Sequence, residues 1–114
     1  MIGIRVELTI APGNTDAFEH ALAVQAAAVR ANEPGNRLYE LFKSSNTAGS
    51  YTLIEIYEDE AAIAAHRTSS HMAANRPLTA PFLLTTTDAS AEVEAIHPKM
   101  MPVILMTPKR SRRG

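Results

Sequence analysis

The chain has 114 residues, 46% of them hydrophobic, with a formal net charge of −1 and no cysteine. That length and composition suit one domain with a modest core, and they exclude a disulfide framework, a thiolate metal site and a cysteine nucleophile. The charge is uneven: Lys109, Arg110, Arg112 and Arg113 crowd the C-terminus of an otherwise acidic body, and without a basic stripe on that body the tail reads as a solvated terminus rather than a nucleic-acid contact.

Residues 2–10 alternate strictly. Ile2, Ile4, Val6, Leu8 and Ile10 fall on one face, and Gly3, Arg5, Glu7 and Thr9 on the other, which predicts a strand with one apolar face. No basic head, apolar block and small-residue cleavage site precede it, and no run is apolar enough to span a bilayer, so the expected location is the cytoplasm. Pro12 and Gly13 end the strand. Asn14 or Thr15 is a candidate helix cap, with Asp16 and Glu19 near the positive end of the dipole. Phe18, Ala21, Leu22, Gln25, Ala28 and Val29 then form a stripe at helical spacing. Glu33-Pro34-Gly35 stops this helix, because proline disfavours helical geometry at the residue before it.

Two strand-like runs follow, 37–43 and 51–57, separated by SSNTAGS as a hairpin loop. Both faces of these strands are apolar: Leu38 and Phe42 alternate with Tyr39 and Leu41, and Ile54 and Ile56 alternate with Tyr51, Leu53 and Tyr57. A strand apolar on both sides needs cover on both sides. Asp59 caps a second helix running to about Thr68, and Ser69 or Ser70 restarts a helical piece that carries His71 and Met72. Pro77 and Pro81 are expected to end it near Arg76. TTTDAS, residues 85–90, reads as a loop, 91–97 as a fourth strand, and 103–106 as a short edge strand between Pro102 and Pro108. Residues 1–98 thus form the domain, and 99–114 an extension holding that short strand and the basic tail.

The order β-α-β-β-α-β is that of an α+β, ferredoxin-like split βαβ fold: an antiparallel sheet with helices on one face. No element is left to cover the other face, so a second copy of the chain is the expected cover, as a homodimer packed sheet to sheet.

His66 and His71 are the residues with the most chemical promise. Five positions apart, they stand roughly 140° from each other around a helix and do not share a face as two ligands in H-E-x-x-H do. No metal site is expected from them. The glycines are isolated and match neither a dinucleotide fingerprint nor a P-loop, so no cofactor is expected either. Ile63 turns its helix face inward and carries His66 to the buried side, where it is either a packed core histidine or a general base at a cavity. His71, at the start of the next helical piece, is expected to be exposed, and neutral beside a helix N-terminus. Glu40 and Glu55 are acids in apolar strands; each either points into a cavity or pairs with Arg5 or Arg37 from a neighbouring strand.

Glu33-Pro34-Gly35, Tyr39-Glu40, Glu55, Tyr57, Asp59, His66 and His71 together follow the pattern E-P-G, Y-E, E-x-Y/W-x-D/E-x-x-A, A-H-x-x-S-x-H. Over roughly residues 1–97 the chain closely resembles the antibiotic biosynthesis monooxygenase family. That resemblance implies a dimeric α+β barrel whose C-terminal strand reaches toward the partner, with a pocket between sheet and helices in each subunit. It implies oxidation of a small aromatic, quinol or polyketide-type substrate by dioxygen without metal, flavin or haem, with His66 and His71 as catalytic residues and Tyr39, Glu40, Glu55 and Tyr57 around the substrate. The sequence departs from the family's usual pattern at Tyr57, where many relatives carry tryptophan, and at Pro77 and Pro81, which interrupt a helix usually longer. An isomerase or cyclase on the same scaffold, and a non-catalytic dimeric stress-response binding protein, are the alternatives.

Overall fold

The computed structural model of the protein describes residues 1–94 and 103–104. Its elements run β1 (Ile2–Ile10), α1 (Thr15–Asn32), β2 (Asn36–Lys43), β3 (Ser50–Tyr57), α2 (Glu60–Arg67), α3 (Ser70–Thr79), a short 3₁₀ turn (Ala80–Phe82), β4 (Leu83–Glu94) and β5 (Val103–Ile104). The strands form one sheet in the order β2-β3-β1-β4-β5. All pairings are antiparallel. This is the α+β ferredoxin-like fold. No helix among the described residues is long and apolar enough to cross a membrane.

The strict alternation of β1 puts Leu8 and Ile10 into the core. In register with it on β3, Tyr51 lies opposite Leu8, Leu53 opposite Val6, and Glu55 opposite Ile4. Residues opposite each other share a sheet face, so Glu55 is carried to the helix side together with the core. On β2, Tyr39 pairs with Glu55 and joins that face, whereas Glu40 pairs with Ile54 and lies on the other. Against this surface α1 lays Phe18, Leu22, Ala26 and Val29, with Phe18 packed on Tyr51 at a ring-centroid distance of 5.1 Å. Gln25, the one long polar side chain in the stripe, is buried but satisfied: it donates to Tyr39 Oη at 2.7 Å and accepts from Thr79 Oγ1 at 3.2 Å.

Two expectations are corrected. TTTDAS is not a loop, and the fourth strand is not confined to 91–97, because β4 already runs from Leu83. Thr85 to Ser90 pair along β1 from Thr9 to Ile4. The open edge of β1 supplies the backbone partners, and threonine is at home in a strand. The segment is polar because Thr86, Asp88 and Ser90 are exposed rather than packed in the core. Helix α3 also outlasts Arg76, with Pro77 inside it. The proline forfeits one backbone bond, but Asn75 and Thr79 are buried, and Thr79 is tied to Gln25 on α1. Of the expected strand over 103–106, Val103 and Ile104 pair with Glu94 and Val93; its remainder, His97 and the basic tail lie outside the described residues.

The sheet face away from the helices carries Leu38, Phe42 and Ile54, with Phe42 still 50% exposed.

Candidate active site

The site is assembled at the ends of three helices. Helix α1 stops at Asn32, and Glu33 follows as an extended C-cap residue with φ −120° and ψ 91°, the conformation a following proline favours. Gly35 then lets the turn run hard against α2: a Cβ at this position would lie 2.6 Å from that of Ala62. The turn is stitched to the end of β3, since Gly35 O accepts from Glu58 N at 2.9 Å. Helix α2 begins where Asp59 accepts from Ala62 N at 2.9 Å, and it buries Ile63 and His66. Helix α3 begins where Ser69 accepts from Met72 N at 3.2 Å.

These junctions bring Glu33, His66 and His71 together. His66 Nδ1 lies 2.9 Å from Glu33 Oε2 and 3.1 Å from Oε1. His71 Nε2 contacts the same Oε2 atom. Both histidines and the carboxylate are largely shielded, with His66 7% and Glu33 9% exposed. A carboxylate only accepts, so Nδ1 of His66 and Nε2 of His71 are assigned as donors. The serine between them agrees: Ser69 Oγ donates to His66 O at 2.8 Å, leaving its oxygen to accept from His71 Nε2 at 3.2 Å. With Nδ1 committed to Glu33, His66 keeps Nε2 free to accept a proton. The expectation of an exposed His71 is corrected, because its side chain is only 14% exposed.

Nε2 of His66 faces β3, where Glu55 Oε1 lies 3.9 Å away, beyond hydrogen-bond range. Glu55 accepts instead from Tyr57 Oη at 2.6 Å. The rings of Tyr57 and Tyr39 flank His66 at centroid distances of 5.4 and 5.8 Å. Burial, reinforced by Glu55, pushes the pKa values of both phenols well up, so they are hydrogen-bonding walls and not bases. A cavity of about 250 Å³ opens here between sheet and helices. Val6, Leu8, Leu53 and Met72 give it apolar walls, and Tyr39, Glu55 and His66 face it. Its exposed rim is formed by Arg67, Arg76, Thr86 and Asp88.

Glu40 stands apart. It lies on the opposite sheet face and pairs with Arg30 at 3.3 Å, both side chains about half exposed. Neither Glu40 nor Glu55 pairs with Arg5 or Arg37; these lie beside Glu7 at 3.4 Å and Glu58 at 2.5 Å. Among the described residues no group of three or more histidine, aspartate or glutamate side chains is arranged to hold a metal ion.

Burial raises the pKa of Glu55, outweighing the Tyr57 hydrogen bond and the charge of His66. The folded chain therefore holds this proton more tightly than the unfolded chain. The stability that follows is fully present below the ordinary carboxylate pKa and is lost as pH rises through the raised folded value. Glu55→Gln can still accept from Tyr57 but does not titrate. Its melting temperature relative to wild type is expected to climb as pH rises from the ordinary carboxylate range toward neutrality. A difference that stays flat across this range would contradict the assignment.

A family model of antibiotic biosynthesis monooxygenases matches residues 1–77. The chain belongs to that family. No curated protein matches it. Among solved structures it is similar to a Caulobacter crescentus protein provisionally assigned as an antibiotic biosynthesis monooxygenase, at 27% identity and a TM-score of 0.76, over 79% of this chain and 86% of that one. Proteins with the same provisional assignment from Nitrosomonas europaea (21% identity, TM-score 0.74, 85% and 100% covered) and Bacteroides thetaiotaomicron (19%, 0.76, 88% and 93%) share its fold. The matched family region holds Glu33, Tyr39, Glu55, Tyr57, His66 and His71, and so contains the whole polar cluster.

Glu33 is the residue that sequence reasoning passed over, as part of a helix stop. One signal pointed to it. A carboxylate at a helix C-terminus faces the negative end of the dipole, an unfavourable place unless something else holds it there. Two imidazole N–H groups do.

Proposed function

We propose that this family member is a cofactor-independent monooxygenase that oxidises a small aromatic, quinol or polyketide-type substrate with dioxygen, working as a cytoplasmic homodimer. The observation that carries the reading is the Glu33–His66 pair, whose free Nε2 is turned to a cavity beside His66 walled by apolar side chains and the protonated phenol of Tyr39. A carboxylate that holds one ring nitrogen of a histidine leaves the other as a general base. His66 takes a phenolic proton from the substrate, and the imidazolium is held by Glu33. The electron-rich anion then reacts with dioxygen. The substrate supplies all the electrons: one oxygen atom enters the ring and the other leaves as water. The chain's own contribution is position, a shielded pocket and proton handling. Tyr39 and Glu55 line the substrate's place; Tyr57, expected from the sequence to stand beside the substrate, instead lies behind it and donates to Glu55, and His71 holds the same oxygen of Glu33 as His66 does. Glu40 has no part in this geometry. The exposed Phe42 and the half-buried Leu38 and Ile54 on the far sheet face support the homodimer; light scattering at micromolar concentration is expected to give twice the chain mass.

The test is oxygen uptake by metal-free protein supplied with a panel of quinols and anthrone-like phenols. Uptake with one quinone or hydroxyquinone product is expected. Product formed equally well under nitrogen, or no turnover of any member, would overturn the proposal.

A further inference from the structure

The cations of this domain are unevenly satisfied. Arg5, Arg30, Arg37 and Lys43 each lie within 4.0 Å of a glutamate, namely Glu7, Glu40, Glu58 and Glu19. The remaining arginine and lysine side chains among the described residues are Arg67 and Arg76, and neither has a carboxylate within that distance. Both line the cavity that His66 and Glu55 face. Their positive charge reaches inward, since Arg67 acts on the carboxyl of Glu55 and Arg76 on the phenol of Tyr39. The two are organised with respect to each other as well: Arg76 Nη2 donates to the main-chain oxygen of Arg67 at 3.3 Å, which holds one guanidinium at the end of α2 and leaves its other N–H groups unused.

From this we infer that Arg67 and Arg76 form an anion subsite at the cavity mouth, and that the substrate is a compact hydroxyaromatic bearing a carboxylate. The inference rests on the proposed function in taking the cavity beside His66 as the substrate site. Guanidinium groups match carboxylates as planar, multiple donors. A ligand with its carboxylate at this rim and its ring against Val6, Leu8, Leu53 and Met72 directs its phenolic end inward, toward Nε2 of His66. Asp88, on β4 opposite Val6, also borders the mouth and steers the anion away from the sheet and toward the helices. A volume of about 250 Å³ is below the roughly 300–1,000 Å³ that houses drug-sized ligands, which favours one or two fused rings.

The test uses a pair of redox-inert probes of matched shape, naphthoate and its neutral amide, bound under nitrogen to the full chain. Calorimetry is expected to show wild type binding naphthoate about 10- to 100-fold more tightly than naphthamide, and added salt should erode the naphthoate affinity alone. Arg67→Met and Arg76→Met should each reduce this preference, and the double variant should abolish it. Lys43→Met, which removes a cation already paired outside the cavity, should leave it intact. Equal affinity for the two probes, failure to bind either, or a preference that survives the double substitution overturns the inference. Because the probes are not oxidised, the result stands apart from oxygen uptake: a carboxylate preference without turnover of any quinol would sink the monooxygenase reading and leave the subsite, and turnover without the preference would do the reverse.

Discussion

His66→Ala is expected to lower oxygen-dependent turnover by about two to four orders of magnitude, the range a positioned general base contributes. His66 is the side chain that both faces the cavity and has a ring nitrogen left free, because Glu33 occupies Nδ1. Tyr39 and Tyr57 cannot replace it, since burial keeps both phenols protonated. Glu55 lies 3.9 Å from His66, but its carboxylate is engaged by Tyr57 Oη at 2.6 Å. The loss should fall on kcat rather than on KM, since deprotonation belongs to the chemical step and the ring is held by the apolar walls. Circular dichroism and a melting curve establish that the variant is folded. Folded His66→Ala that retains more than a tenth of the activity would remove His66 from the mechanism.

Glu33→Ala is expected to be the most damaging single change to stability at the site. It strips the acceptor from the Nδ1–H of His66 and leaves the Nε2–H of His71 with Ser69 Oγ alone, at 3.2 Å. A buried donor left without a partner costs about 1–3 kcal/mol, and His71 loses the closer of its two acceptors as well, so a total of about 2–4 kcal/mol is expected. That is a large share of the roughly 5–15 kcal/mol by which a domain is stable. Calorimetric melting should fall by about 10 °C. Activity should fall with it, because His66 loses the partner that fixes its tautomer and orientation. Glu33→Gln keeps an acceptor oxygen without the charge, so it should recover most of the melting temperature but not the turnover. Melting of Glu33→Ala within about 2 °C of wild type would show that the carboxylate does not hold the two helix ends together.

Much of the scaffold was legible in the sequence because it rests on local regularities. The alternation from Ile2 to Ile10 is β1, and the stripe from Phe18 to Val29 is the buried face of α1. Asp59 and Ser69 cap their helices as their side chains suggest. The segment at 85–90 was misjudged because its polarity looked like a loop, and a polar strand becomes one only when a neighbour offers backbone partners. The open edge of β1 does that.

Glu55 and Glu40 separate two kinds of knowledge in this protein. Both are acids in apolar strands, and strand period alone puts each residue on one of two faces without saying which face has the cavity. That followed from the register of β2 against β3 and of β3 against β1, which sends Glu55 inward and Glu40 to Arg30 at the surface. In the same way the sequence by itself determined the strand and helix frame, the family and the two histidines. Only the tertiary structure decided that Glu33 joins them, that Nε2 of His66 is the free nitrogen, and that Arg67 and Arg76 stand at the mouth without a carboxylate partner among the described residues. The physical reason is range: periodicity and capping act within a few residues, whereas Glu33 lies 33 positions from His66 and 38 from His71. Hydrogen bonds across such separations exist only once packing has brought the ends of three helices to one place.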